Sequence, residues 1–480
     1  MAVRCAWRRW LALAVGLAMI LAGCSSGRSD RRQTAGGSTT TAAPGTTAGG
    51  QDGGASGVAR CPLGPLPPPP ADRPSYRLRI NLQPQRGLVT GDLRVRFTPD
   101  VATDRLVFRL WPNSSRFQRA GAKLDTGDPV EPDGRGLATA RPDPTTLEVR
   151  PGRALSAGES INVNLPWRLT LPTIALSDRI SVQAGTLRLG SFFPLLAWQP
   201  GVGWATDPPP SGLGEASTSP TADFDVTVTA PSGLDVLATG TADGRGHWRA
   251  TAVRDFALSA GQFRTATAVA HAPNPVRVTV GVDSSLSDQP AAQYARIAVR
   301  SLESYGRRFA PYPWPTLTIG ITPNLPGGIE YPTHIMQGPG TAAGITPHEV
   351  GHMWFYALVG NDQARDPWLD EGLATYAEAR FDGVTNRYQR FNVPQRVRGH
   401  LGEPMRFWDR QPSSLYFPGV YAQGAKALLA LGGPSVADCV LRIYAAREGY
   451  RIARPADLVA AATAVVPRAP AVFATFGIPR

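Results

Sequence analysis

A chain of 480 residues, 42% of them apolar, can bury sizeable cores in two or three domains and is not a small disulfide scaffold. Its 49 basic residues outnumber 37 acidic ones for a net charge of +12, yet no Lys/Arg block with interleaved aromatics occurs. No nucleic-acid partner is therefore expected, and the balance supports at most a mild attraction to anionic lipid or wall polymer.

Residues 1–23 read as an export signal, with Arg4, Arg8 and Arg9 ahead of an apolar run at 10–22 that is too short to favour a membrane-spanning helix. The run ends in Leu21-Ala22-Gly23-Cys24, which resembles the bacterial lipobox. Cys24 is thus the expected lipidation site, anchoring the chain to the extracytoplasmic face of a cell membrane. Without the signal, 46 basic residues face 37 acidic ones, a net charge of about +9. Residues 24–71 form the expected tether. Its first part is almost entirely Gly, Ser, Thr, Ala and Gln and cannot bury enough apolar surface to offset ordering. About 35 residues of such coil reach roughly 30 Å, and the proline-rich stretch at 62–70 is stiffer. Cys61 and Cys439 are the cysteines left beyond the signal and the anchor. In an oxidising compartment they can form a disulfide or stay as two buried thiols, and spacing does not choose between these.

Residues 72–267 read as an N-terminal β domain, a sandwich or saddle-like sheet structure. Short alternating or β-branched runs, such as 76–82, 88–97, 105–111, 146–150, 161–165, 224–230 and 234–240, recur between Gly, Pro, Asp and Asn punctuation. Residues 268–480 change texture to a mainly helical α+β domain. Strands are expected at 276–282 and 317–321, and helices at 291–309, 346–358, 367–381, 421–431, 435–448 and 456–465.

His348-Glu349-Val350-Gly351-His352 is an H-E-x-x-H motif. On a helix the two histidines stand one turn apart on one face and can converge on a single ion, while Glu349 points towards the site without ligating. A catalytic zinc takes three protein ligands and keeps a position for water, so a third ligand has to come from elsewhere. Glu371, in Trp368-Leu369-Asp370-Glu371-Gly372-Leu373-Ala374, sits on a second expected helix that can fold back and present it. The expected cofactor is one zinc ion per chain.

This pattern resembles the aminopeptidase N family of gluzincin metallopeptidases, which joins a β-sheet N-terminal domain to a thermolysin-like catalytic domain. The resemblance covers roughly residues 75–480. Gly327-Gly328-Ile329-Glu330-Tyr331 stands where that family carries its exopeptidase strand, so the resemblance implies that Gly327, Gly328 and Glu330 bind substrate, with Glu330 on the free α-amino group. Val420-Tyr421-Ala422-Gln423-Gly424 is similar to the family's tyrosine segment and makes Tyr421 the implied oxyanion stabiliser. The chain departs from the family at Ile329, Tyr331, Ala422 and Gln423, and it stops soon after 473–476, which resembles the last helix of the family's catalytic domain. The long helical C-terminal domain of many relatives is not expected here, which implies a more open cleft.

The reading that follows is an exported, lipid-anchored zinc aminopeptidase acting on peptide or protein substrates, with Glu349 as the base towards water. Glu378, two turns beyond Glu371, either supports a ligand histidine from behind or is a plain surface acid. His247, His271, His334 and His400 lack ligand spacing and are expected to be structural or exposed. Two other readings stay open at this point: a zinc endopeptidase with an open cleft, and a catalytically inactive peptide-binding envelope lipoprotein. Composition and spacing do not specify the oligomeric state.

Overall fold

The computed structural model describes residues 61–211 and 218–478; the expected signal at 1–23, Cys24 and the tether up to residue 60 lie outside the described residues. Strict alternation shapes the first half. In β1 (Ser75–Gln83), Tyr76, Leu78, Ile80 and Leu82 are buried while Arg77, Arg79 and Asn81 face solvent, the period of two that a half-buried strand requires. It is joined by β2 (Leu88–Phe97), β3 (Lys123–Thr126), β4 (Ile161–Thr170), β5 (Ala222–Thr229), β6 (Thr241–Ala242) and β7 (His247–Val253). Together they form a seven-stranded sheet of order β6-β7-β5-β1-β2-β4-β3. Its inner face shares one apolar core with Leu106, Phe108, Leu147 and Val149 of a separate four-stranded sheet. Tyr76 stacks on Phe224 within that core, with ring centroids 4.5 Å apart.

The second half is built on a five-stranded sheet. Its strands are β8 (Phe263–His271), β9 (Pro275–Asp283), β10 (Thr316–Ile321), β11 (Gly328–Ile329) and β12 (His334–Gln337), in the order β8-β9-β10-β12-β11. β9, β10 and β12 run parallel, and parallel neighbours need a crossover, which α1 (Ala291–Arg308) supplies between β9 and β10. α1 buries Tyr294, Ala295, Ala298, Leu302 and Tyr305, a stripe at helical spacing. β11 pairs antiparallel with β12 and is the edge of the sheet. Beyond the sheet come α2 (Ile345–Gly351) and α3 (Trp368–Phe381), then a π-helical turn (Phe417–Ala422) that runs into α4 (Gln423–Leu429), and α5 (Pro434–Glu448). α3 is buried on nearly every side, so no apolar stripe marks a preferred face.

A β-rich first half and a mainly helical second half are thus observed, with three departures from expectation. The boundary at 268 falls inside β8, which pairs with β9 along its whole length. Thr265 and Thr267 on that strand are exposed, so the change of texture reads late in the sequence. The helix expected at 346–358 ends at Gly351. Past it the N–H groups of Ala357, Leu358 and Val359 bond carbonyls five residues back, at 2.9, 3.2 and 3.0 Å, wider turns than an α-helix makes. They carry Trp354 and Phe355 into the core, where Trp354 Nε1 donates to the Ala310 carbonyl at 2.8 Å. Finally, the tether expected to run to residue 71 is fastened from Cys61 onward. Cys61 and Cys439 form a disulfide with Cα atoms 5.4 Å apart, Arg442 donates to the Cys61 carbonyl, and Leu66 packs on the core.

Candidate active site

Short, buried helix α2 delivers the histidines. Pro347 fits its first turn, where no N–H is needed, and Tyr305 fixes that turn by donating to the Pro347 carbonyl at 2.9 Å. His348 lies inside the helix and His352 caps it, its N–H 3.3 Å from the His348 carbonyl. α3 brings Glu371 to the same point. His348 Nε2 and His352 Nε2 are 3.1 Å apart, and Glu371 Oε2 stands 3.2 Å from the first and 3.4 Å from the second. A tetrahedral ion with bonds of about 2.0–2.1 Å keeps its ligand atoms roughly 3.3 Å apart. Two imidazoles and a carboxylate in this triangle therefore fit one zinc ion.

The far side of each imidazole is held as well. His348 Nδ1 is 3.3 Å from Glu378 Oε2, so Glu378 does stand behind a histidine of the triangle. His352 Nδ1 is 2.6 Å from Asp370 Oδ1, and Gln363 Nε2 donates to Asp370 Oδ2 at 2.5 Å. Hydrogen bonds of this kind fix which ring nitrogen is left for a metal. Asp370 and Gln363 were not singled out from sequence. The usable signal was that a buried histidine needs a partner for its second nitrogen, and an acid beside Glu371 could supply one.

Glu349 is 4% exposed, and its Oε2 has no hydrogen-bond partner among the described residues. Its carboxylate lies against Gly328: a Cβ there would come 2.3 Å from Glu349 Cδ, so β11 can approach the base only with glycine at that position. At Gly327 the space that a Cβ would fill is open, and its carbonyl accepts from Gly338 N at 2.9 Å. Glu330, the residue just past the edge strand β11, is buried and brings a carboxylate oxygen within 4.8 Å of a His352 nitrogen. Tyr421 projects from the π-helical turn. Its hydroxyl donates to Glu371 Oε1 at 2.5 Å, and its ring stacks on His348 at 5.7 Å. Such turns place single side chains that an α-helix would misdirect.

Electrostatically, the pocket is suited to a cation. Burial opposes charge on His348, but hydrogen bonds to Glu371 and Glu378 outweigh it and raise its pKa to about 9. His352 is raised likewise, against its burial, by the charges of Asp370 and Glu330. Burial lifts the Glu349 carboxyl to about 7, and the two histidines only partly counter this. Tyr421 is pushed well above its ordinary value by burial and by Glu371, so it stays an O–H donor. His334 is a structural histidine. Fully buried between Ser259 Oγ at 3.1 Å and Thr318 Oγ1 at 2.7 Å, it has its pKa lowered to about 3 by burial. His247 sits between Asp225 and Asp243, away from the triangle.

Glycine contacts hold α3 between its partners. A Cβ added to Gly424 on α4 would lie 2.6 Å from Gly372 Cα, one residue after Glu371. One added to Gly351 on α2 would lie 3.2 Å from Ala377 Cβ and 3.4 Å from Ala374 Cα. The helix backbones therefore meet almost directly, which lets Tyr421 reach Glu371 on one side and Glu371 reach the histidines on the other.

This geometry sits in a fold shared with known proteins. The chain superposes on an M1 zinc metallopeptidase from Deinococcus radiodurans with a TM-score of 0.60 at 18% identity, covering 85% of this chain and 96% of that one. The chain has the M1 zinc metallopeptidase fold. A two-domain M1 zinc metallopeptidase, a point mutant bound to L-arginine, matches similarly, with a TM-score of 0.62 at 19% identity over 85% of this chain and 94% of the other. In sequence the chain is 28% identical to human aminopeptidase B over 116 residues, 22% of this chain and 18% of that protein. It is 29% identical to leukotriene A-4 hydrolase of Xenopus laevis over 116 residues, 22% of this chain and 19% of that one. The matched stretch thus spans about a fifth of the length of these curated relatives. No family model matches the chain.

Proposed function

We propose that the chain is a zinc metallopeptidase that removes residues from the free N-terminus of peptides. The observation that carries this reading is the triangle of three donor atoms within 3.4 Å of one another, set beside a buried carboxylate whose Oε2 has no hydrogen-bond partner among the described residues. Zinc held by His348, His352 and Glu371 supplies Lewis acidity at the scissile carbonyl. Glu349 takes a proton from the attacking water at Oε2 and passes it to the leaving nitrogen, a role suited by its lifted pKa. Tyr421, kept protonated, donates a hydrogen bond where negative charge develops on the carbonyl oxygen. Glu330, just past the edge strand, accepts from the substrate's α-ammonium group, with Gly327 and Gly328 leaving room for the peptide. A similar M1 structure carries a Tyr-Ser-Ala substrate, which supports a peptide as the ligand class.

Hydrolysis of aminoacyl fluorogenic substrates with free and acetylated amines, with and without a chelator, tests this. The expected result is cleavage of the free-amine substrate only, abolished by chelation and restored by zinc. Equal cleavage of both substrates would make the chain an endopeptidase. Cleavage of neither, at full zinc loading, would leave a peptide-binding protein.

We further infer export and lipid anchoring through Cys24. The support is the lipobox-like run ahead of it and the Cys61–Cys439 bridge, which suits an oxidising compartment. Growth with an alkynyl fatty acid should label the wild type and not Cys24→Ser; an unlabelled wild type would refute the anchor.

A further inference from the structure

The outer face of the seven-stranded sheet concentrates arginine. On three neighbouring strands, β1, β2 and β4, the exposed charged side chains are Arg77 and Arg79 of β1, Arg94 and Arg96 of β2, and Arg168 of β4, against one acid, Asp92. Arg77 stands directly opposite Arg94 across the β1–β2 ladder. Like charges in that relation destabilise a sheet, and nothing in the fold requires them there. Asp92 stands opposite Arg79 and Asp125 opposite Arg168 in the ladders, without an ion pair to either arginine; Asp125 pairs with Lys123 at 2.8 Å, and the acids of β5 are engaged as well. Asp225, opposite Arg77 on β5, contacts His247 at 3.0 Å and Arg249 at 3.8 Å, while Asp223 pairs with Arg73 at 2.8 Å. Arg94 reaches only the Asn164 amide and Arg96 only the Ser160 hydroxyl, both neutral partners. None of the five arginines makes an ion pair among the described residues. The face carries no aromatic side chain, so it offers no stacking platform for nucleotide bases.

We propose that this arginine face docks on the anionic phospholipid headgroups of a membrane. Five unpaired guanidiniums on an extended sheet match a continuous layer of phosphates, each able to take a forked pair of hydrogen bonds. Repulsion between Arg77 and Arg94 is relieved when phosphate enters between them. Docking by this face would orient the body on the membrane and would add to any lipid anchor. It does not depend on the peptidase reading.

Partition of the full chain carrying Cys24→Ser between vesicles with 30% phosphatidylglycerol and vesicles of pure phosphatidylcholine tests the proposal. Comparing the ratio of the two partition coefficients between variants cancels the contribution of the N-terminal segment, which is common to them all. At low salt the ratio should exceed one and fall towards one as ionic strength rises. An arginine at an anionic surface is worth about fivefold, so Arg77→Gln/Arg94→Gln should lower the ratio about twenty-fivefold. Arg296→Glu/Arg387→Glu, which removes even more charge from exposed sites in the second half, should leave it within about twofold. Because the glutamine pair also removes a like-charge contact, its Tm should rise while vesicle binding falls. A ratio of one for the wild type, an equal loss in the Arg296/Arg387 variant, or binding of the wild type to a DNA oligonucleotide but not to vesicles would each overturn the proposal. Peptidase activity, measured on the same preparations, should be unchanged by either pair.

Discussion

The two halves of this chain carry their instructions differently. In the seven-stranded sheet, information is local: every second residue is apolar, and a single strand such as β1 declares which face is inside. In the second half, α3 is buried almost all round, and its placement depends on what it meets, with Gly424 on one side and Gly351 on the other. Period-two surfaces leave their outer residues free to vary, whereas a helix held by glycine contacts on two sides has almost no free position. Substitutions on the outer sheet face should therefore leave catalysis intact, while equally small changes along α3 should not.

The sharpest break of that contrast is chemical. Glu349→Gln keeps the shape and volume of the side chain but cannot accept the water proton. We expect turnover to fall roughly 10²–10⁴-fold with zinc content unchanged; a variant that turns over at the wild-type rate would remove the base. Next is geometry alone. Gly424→Ala should push α4 from α3 and carry Tyr421 off its contact with Glu371. Because misplacement by an ångström can cost a factor of a hundred, kcat should drop by about ten- to a hundredfold while zinc is retained. If kcat is kept and only Tm falls, the glycine contact is merely structural. Asp370→Asn should weaken zinc affinity by about 10–100-fold, measured by competition with a chromophoric chelator, because His352 exchanges a charged carboxylate acceptor for a weaker, neutral amide oxygen.

Much of the site was legible because its chemistry is periodic. Two histidines four apart with an acid between them have few other uses, Glu371 and Glu378 sit at a helical spacing of seven, and Tyr421 stands in a family-like segment. What could not be read depends on contacts distant in sequence or on backbone irregularity. Gln363 matters only because the turns after Gly351 bring it beside Asp370, and those turns are driven by burial of Trp354 and Phe355. The π-helical turn has no signature in composition, and the attachment of residues 61–71 rests on a partner hundreds of residues away. The outer faces of the strands were legible as exposed, but which arginines stand opposite one another follows from register alone.

The smallest effect concerns stability in the loop that leads into α3. Asp366 has its pKa raised from 3.8 to about 7 by burial and by the charge of Asp362. A raised carboxyl pKa means that the native state holds the proton more tightly than the unfolded chain does, so stability is lost as pH rises from 3.8 through about 7. Asp366→Asn removes that loss. Thermal unfolding should show no gain at pH 4 and a Tm higher by about 3 °C at pH 8. An equal gain at both values would mean that the charge is not the cause.

The central claim is that His348, His352 and Glu371 share one zinc ion. Anomalous diffraction from crystals grown with zinc, collected on either side of the zinc edge, tests it directly. The account predicts a single strong peak within bonding distance of His348 Nε2, His352 Nε2 and Glu371 Oε2. A peak held instead by Glu330, His352 and Asp370, or no peak between the two histidines, would contradict it.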